Sequence, residues 1–276
     1  MDFETRTLSV SRRDRTLLRY SSGLPVRHSR LSGVKKVKLN GLRTNLLFVL
    51  AGIIVSGMSP AFAVDQFGWP RFNLNDGQEH CAGKAFAVRW YRNRTLLLLP
   101  LHILSPEAEY SHYVAPQDVS KEVRSVDVLD LQQQSVLASS STSLLKTGCT
   151  VGQGTGDLSG DLMAFELSSS SRLTPFNMLG TLAPVGTKVW VWSKDTESRS
   201  LSPDRYSGTI SASSPSGLVL QMDAPVKAIS SSGAPVVNAK NELVGMMVGK
   251  QDDRRMVIMA IPSSSLIRRL YSEIGQ

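Results

Sequence analysis

Three residues of different type, His102, Asp161 and Ser232, have the side chains needed to activate a serine hydroxyl. Acyl transfer to serine needs a base that takes the hydroxyl proton and a carboxylate that holds that base in the right tautomer. Of the four histidines in the chain, only His102 follows a strongly apolar segment, TLLLLPLH, where a strand would end. The pattern therefore makes nucleophilic catalysis at a serine the first hypothesis to test.

The segments around the acid and the serine are compatible with these roles. Asp161 is the first residue of DLMAFEL, which places an acid at the start of an apolar strand. Asp157 in GDLSGD is the alternative candidate for the same role. Ser232 precedes Gly233 and Ala234, whose small side chains let the chain turn tightly so that successive amides face one point. The alternative interpretation is a structural histidine, a solvated turn aspartate and one serine among several serine tracts.

The apolar runs that would position these residues are short and rich in β-branched side chains. Clusters of Gly, Pro, Ser, Asp and Asn separate them, which is typical of strands joined by turns. The tail is different, because apolar residues recur every four positions after Pro262 and predict a helix over 263–274 with a serine N-cap. The predicted strands are AFAVRWY (85–91), TLLLLPLHIL (95–104), SVDVLDL (125–131), LMAFEL (162–167), KVWVWS (188–193), GTISA (208–212), LVLQM (218–222), PVVN (235–238), LVGMMVG (243–249) and MVIMAIP (256–262).

Taken in order, these segments resemble the trypsin-like serine proteases, most closely the HtrA/Deg-type protease domain without PDZ. LPLHIL stands where the family has T-A-x-H-V, DLMAFEL is similar to D-[IL]-A-[VL]-L-x-[LV], and SSSGAP is similar to G-[DN]-S-G-[GAS]-P. AGKAFAVRW and MVIMAIPSSSLIRRL resemble the opening strand and the ending of that domain, so the similarity covers about Ala82 to Leu270. The resemblance implies an all-β fold of two six-stranded Greek-key β-barrels, chymotrypsin-like, with a C-terminal helix, in residues 64–276.

The resemblance also implies a role for each site residue. Ser232 would be the nucleophile, His102 the general base and acid, and Asp161 its orienter, while the backbone amides of Ser230 and Ser232 would form the oxyanion hole.

Two positions depart from the family pattern. Ser230 replaces a glycine and favours a flipped peptide, and Pro100 constrains the strand that delivers His102. We expect these departures to lower the rate more than the stability.

A substrate pocket follows from the same resemblance. Its floor would lie near Val226, and its wall would come from Met246, Met247 and Val248, none of which carries a charge. We expect the pocket to accept small or medium aliphatic side chains of a peptide or unfolded protein substrate. No cofactor and no metal are implied, and the sequence has neither a CxxC motif nor Cys2His2-type spacing.

The basic residues of the chain are concentrated at its start. Residues 1–63 hold 11 of the 31 basic residues and 3 of the 23 acidic ones, which leaves 20 of each for residues 64–276. A basic stripe for nucleic acid is therefore not expected in the part of the chain that folds. Residues 1–45 are expected to form a basic, disordered extension.

An uncharged apolar segment, 46–63, follows this extension and ends in Ala61-Phe62-Ala63, which is the layout of a signal peptide. Cleavage before Val64 would release a periplasmic or secreted protein. The alternative is an uncleaved anchor that tethers the protein to the membrane. The 18 residues of this segment would span about 27 Å as a helix, just short of a hydrocarbon core of about 30 Å.

Two cysteines, Cys81 and Cys149, follow the leader and would reach an oxidising compartment. The sequence is compatible with a single disulfide and with two buried thiols.

The sequence as a whole predicts an exported serine endopeptidase, and the alternative is a weak or inactive homologue that binds peptides.

Overall fold

The structure is a computed structural model that describes residues 65–150, 157–196, 198, 200, 202–226, 231–250, 254 and 256–275. These described residues belong to one compact unit. The predicted extension at 1–45 and the predicted leader at 46–63 lie outside the described residues, so both remain predictions.

The first half of the fold is a seven-stranded antiparallel sheet. Its strand order is β6-β5-β1-β3-β4-β7, with β2 paired to β1. The residues after β6 also run along β7, because the amide of Leu144 donates to Ala164 and the amide of Glu166 donates to Thr142. The two ends of the sheet are thereby joined. The strands are β1 (Phe67–Leu74), β2 (Glu79–Cys81), β3 (Ala85–Arg89), β4 (Thr95–Leu99), β5 (Val123–Leu129), β6 (Val136–Ser140) and β7 (Met163–Leu167), and a one-turn helix α1 (Val119–Glu122) precedes β5.

The second half is a closed six-stranded barrel with the order β10-β13-β12-β11-β8-β9. The first half repeats this order if β1, β3, β4, β5, β6 and β7 take the places of β8 to β13. The prediction of two Greek-key barrels followed by a helix is confirmed, with the short β2 as an addition to the first barrel. The strands are β8 (Lys188–Ser193), β9 (Asp204–Ser214), β10 (Gly217–Met222), β11 (Pro235–Val237), β12 (Leu243–Lys250) and β13 (Val257–Pro262).

The uninterrupted leucines of β4 reflect burial on both of its faces. Leu97 and Leu99 pack in the core of the first barrel, while Leu96 and Leu98 pack in a second core together with residues of the second barrel and the C-terminal helix. A strand covered on both sides has no polar face, so its sequence reads as a continuous apolar run. β4 ends three residues before His102, so the burial of this strand determines the position of the histidine.

The structure corrects the sequence prediction at β4 and at the first strand. The run 95–104 is not one strand, because β4 ends at Leu99 and a 3-10 turn, Leu101–Leu104, follows. Strands β1, β2 and β6 were not predicted, and β1 contains Gly68 and Pro70, which weaken a strand pattern. Gly68 is required there, because a Cβ would lie 2.1 Å from the carbonyl oxygen of Leu129 on β5.

The C-terminal helix α2 spans Ser263–Ile274, as predicted, and buries Leu266 and Leu270. The predicted serine N-cap is wrong, since Pro262 occupies that position and no side chain caps the helix. The hydroxyls of Ser263 and Ser265 donate instead to the carbonyls of Leu179 and Pro215, at 2.6 Å each, and hold the helix on the barrel. No helix among the described residues is long and apolar enough to cross a membrane.

Candidate active site

His102 lies in the 3-10 turn that follows β4. Pro100 precedes this turn with φ −75° and ψ 147°, values that a proline adopts without strain. The His102 side chain is 12% exposed. Ser105 is fully buried, and its hydroxyl donates to the carbonyl oxygen of His102 at 2.5 Å. This hydrogen bond stabilises the turn.

Asp161 is placed by a second 3-10 turn, Leu158–Gly160, directly before β7. Asp157, the competing acid of the sequence prediction, caps this turn by accepting the amide of Ser159 at 2.9 Å. The two aspartates therefore have separate tasks, and it is Asp161 that points inward, with its side chain 1% exposed. A buried carboxylate requires hydrogen-bond donors, and His102 supplies two of them.

The three predicted residues meet in one hydrogen-bonded chain. Nδ1 of His102 lies 2.5 Å from Oδ2 of Asp161, and the main-chain amide of His102 donates to Oδ1 at 2.8 Å. On the other side of the ring, Nε2 lies 2.8 Å from Oγ of Ser232. Because an ionised carboxylate only accepts, the Nδ1 atom carries the proton and Nε2 is left to accept from the serine hydroxyl.

Ser232 lies in a tight turn directly before β11, in the second barrel. The amide of Ala234 donates to the carbonyl of Ser231 at 2.9 Å, and Gly233 at the third position of this turn has φ +86°, which identifies a type II turn. Only glycine fits there, because a Cβ would lie 2.0 Å from the carbonyl oxygen of Lys84. The Lys84 amide in turn donates to the Ser232 carbonyl at 2.7 Å, so the residue directly before β3 of the first barrel holds the serine of the second barrel.

The predicted oxyanion hole is described only in part. Ser230 lies outside the described residues, so its amide stays a prediction. The amide of Gly233 donates to Met247 at 2.7 Å, whereas the amide of Ser232 meets no acceptor among the described residues. An amide beside the predicted nucleophile without an internal acceptor among these residues is the kind of donor that an oxyanion requires.

The four predicted pocket residues are all buried, but in two different places. Val226 and Met247 belong to the core of the second barrel. Met246 and Val248 pack between the barrels, in the same core as the helix residue Leu266. These side chains therefore belong to two different cores, and their role in substrate selection stays a prediction.

Lys84 is a buried residue that the sequence did not single out. Its ammonium lies 3.3 Å from the centre of the Trp69 ring, and the whole side chain is inaccessible to solvent. Burial lowers the pKa of Lys84 to about 7, against the opposing influence of Asp195 and Asp204, which favour the charged form. A lysine in AGKAFAVRW gives no sequence signal of burial, because its position follows from the packing of β3 against the second barrel.

A metal site finds no support among the described residues, which contain no cluster of three His, Cys, Asp or Glu side chains suited to hold an ion. Cys81 and Cys149 are not bonded to each other.

Comparison with known proteins adds no family assignment. No family model matches the chain, and no curated protein matches it. Among solved structures, the chain is similar to a serine-to-alanine mutant of Rv3671c from M. tuberculosis H37Rv in its inactive form, with 10% identity, 77% of this chain and 88% of that chain covered, and a TM-score of 0.49. It is also similar to the Rv3671c protease in its active form, with 12% identity, coverage of 76% and 81%, and a TM-score of 0.47.

Proposed function

We propose that the protein is a serine peptidase in which Ser232 is the nucleophile, His102 the general base and acid, and Asp161 the orienting carboxylate. The observation that carries this proposal is the position of the His102 ring, which has Asp161 2.5 Å from one nitrogen and Ser232 2.8 Å from the other. Such a chain can move a proton off the hydroxyl while the resulting imidazolium stays next to a negative charge.

The first half of the reaction forms an acyl-enzyme. Oγ of Ser232 attacks the carbonyl carbon of the scissile peptide bond while its proton passes to Nε2 of His102. The carbonyl oxygen becomes an oxyanion, which the amide of Ser232 and that of Ser230 would bind. The carbon–nitrogen bond then breaks, the amine leaves with the proton from His102, and an ester to Ser232 remains.

The second half regenerates the enzyme. A water molecule gives one proton to His102 and attacks the ester carbonyl with its oxygen. The bond to Oγ breaks, the proton on His102 returns to Ser232, and a carboxylic acid is released. Every proton that leaves a reactant passes through Nε2, which is the ring atom that faces Ser232 in the structure.

The proposed substrate is a peptide or an unfolded protein with an aliphatic side chain before the scissile bond. The support for this preference is the uncharged character of Val226 and of the β12 residues 246–248. A peptide library tests this preference: preferred cleavage after Val, Leu, Ile or Ala is expected, and efficient cleavage after Lys or Arg would overturn it.

We further propose that the chain is exported through residues 46–63, with the membrane anchor as the alternative.

The direct test of the function compares peptide hydrolysis by the wild-type protein and by Ser232→Ala. We expect hydrolysis by the wild type and a loss of about 10³-fold or more in the variant, since the hydroxyl that lies against Nε2 of His102 is removed. Ser213→Ala is the matched control, because its hydroxyl donates to the carbonyl of Ala183 in the second barrel. Hydrolysis that survives in Ser232→Ala would reject the proposal, and a folded wild type without any hydrolysis would favour a peptide-binding module.

A further inference from the structure

A pair of serine hydroxyls lies directly behind the proposed nucleophile. Oγ of Ser193 donates to Oγ of Ser231 at 3.2 Å, and both residues are buried, with exposures of 0% and 5%. Ser193 is the last residue of β8, and Ser231 is the residue before Ser232. The bond therefore connects the end of a barrel strand to the segment that enters the nucleophile turn.

The position of Ser231 gives this bond a bearing on the proposed reaction. Ser231 begins the type II turn, because its carbonyl accepts the amide of Ala234 at 2.9 Å. In sequence it also stands between Ser230 and Ser232, whose amides are the two proposed oxyanion donors. Fixing the Ser231 side chain therefore constrains the main chain next to the amide of Ser232.

β8 is a suitable anchor for this purpose. It pairs with β9 along its whole length, ending at Ser193 opposite Asp204, and it also pairs with β11, where Val191 lies opposite Val236. β11 begins three residues after Ser232. The turn that carries the nucleophile is thus held to β8 by strand pairing on its C-terminal side and by the Ser193–Ser231 bond on its N-terminal side.

We propose that Ser193 is a positioning residue, which acts through Ser231 to hold the nucleophile turn and its amides in the orientation that stabilises the oxyanion. This inference rests on the proposed function, because it assigns a purpose to residues behind the same serine. The hydroxyl of Ser193 bonds to Ser231, the residue before the proposed nucleophile, so its effect is on the geometry of the oxyanion donor. Preorganised donors matter most in the transition state, and a loosened turn lowers kcat more than it raises KM.

Paired substitutions at position 193 isolate the hydroxyl. Thr and Val have nearly the same shape, so Ser193→Thr and Ser193→Val disturb the packing alike and differ in the hydroxyl group. We expect kcat of Ser193→Val to fall at least about 10-fold below that of Ser193→Thr, part of the loss of about 10²–10³ that follows removal of a whole oxyanion donor. KM is expected to stay within about twofold.

Further measurements separate positioning from folding. Urea unfolding of both variants reports any common loss of stability, and titration with a fluorophosphonate counts the competent sites on which kcat is based. The double variant Ser193→Ala/Ser231→Ala is expected to lose no more than the worse single variant, because each removes the same bond. Equal kcat values for the Thr and Val variants, or a loss confined to KM, would overturn the inference. A wild type that neither hydrolyses peptides nor reacts with the probe would instead overturn the proposed function.

Discussion

Asp161 accepts two hydrogen bonds from His102, one from the main-chain amide to Oδ1 at 2.8 Å and one from the ring Nδ1 to Oδ2 at 2.5 Å. The first bond fixes where the histidine backbone lies, and the second fixes the direction and the tautomer of the ring. One carboxylate therefore determines both the location of the base and which of its nitrogens is free to take a proton.

Asp161→Asn should separate these two tasks. The amide is isosteric and can keep its bond to the main chain, but its NH2 group favours the wrong tautomer of the ring. We expect kcat to fall by about 10³–10⁴-fold, with the fold retained. Peptide hydrolysis gives kcat, and circular dichroism checks the fold. A loss smaller than tenfold in a folded variant would show that Asp161 does not orient the base.

Gly233→Ala should be far more costly than a change at another glycine with the same backbone angle. Gly186 has φ +88° and open space around it, so Gly186→Ala costs about 1–2 kcal/mol from the backbone alone. At Gly233 the new Cβ would also lie 2.0 Å from the carbonyl oxygen of Lys84, which adds about 1–3 kcal/mol of overlap. Urea unfolding measures both variants. Equal losses would mean that the contact between Gly233 and Lys84 is not tight.

Lys84 should make the stability of the protein depend on pH. Its pKa is about 7 in the folded protein and 10.5 in a free lysine, so between these values the unfolded chain binds more protons. The free energy of unfolding contributed by this group therefore rises as the pH increases from about 7 to 10.5, and it is lost again as the pH falls through that window.

Lys84→Met tests this dependence, because methionine keeps the buried volume and removes the titrating group. The stability of the variant relative to the wild type should be highest at pH 6 and should fall as the pH rises towards 10. Urea unfolding of both proteins at pH 6, 8 and 10 gives the two curves. Parallel curves would show that burial of Lys84 does not shift its titration.

The two cysteines give a prediction about the exported chain. Cys81 and Cys149 are free thiols in the structure. We expect both to be alkylated by iodoacetamide after denaturation without a reductant, and we expect the chain to begin at Val64. Intact-mass spectrometry of the exported protein reads both features at once. An unalkylated chain would indicate a disulfide, and a chain that retains residues 46–63 would indicate the membrane anchor.

The sequence predicted those parts of the fold whose signals are local. Helix α2 was predicted to the residue, because its apolar period is uninterrupted and Pro262 marks its start. β1 was not predicted, because Gly68 and Pro70 break its pattern, and the need for Gly68 arises from the neighbouring Leu129. Where a strand is shaped by its partner, the sequence of that strand alone does not predict it.

The candidate site shows the same difference between residues that their own segment predicts and residues whose place depends on distant partners. The segments around His102, Asp161 and Ser232 could be recognised from their order, and the structure brings the three residues together across 59 and 130 positions of chain. Two buried polar residues near them, Lys84 and Ser193, were not predicted. Lysine and serine are usually exposed, and their burial here results from packing between strands that are distant in sequence.

The most direct measurement of the central claim is labelling with a fluorophosphonate followed by peptide mapping. Such a probe reacts only with a serine whose hydroxyl is activated by a base, so it tests the chain of contacts from Asp161 through His102 to Ser232. We expect one adduct on Ser232, no adduct in Ser232→Ala or in His102→Ala, and slower labelling of the same serine in Ser231→Ala. An adduct on a different serine, or undiminished labelling in Ser232→Ala, would contradict the assignment of Ser232 as the nucleophile.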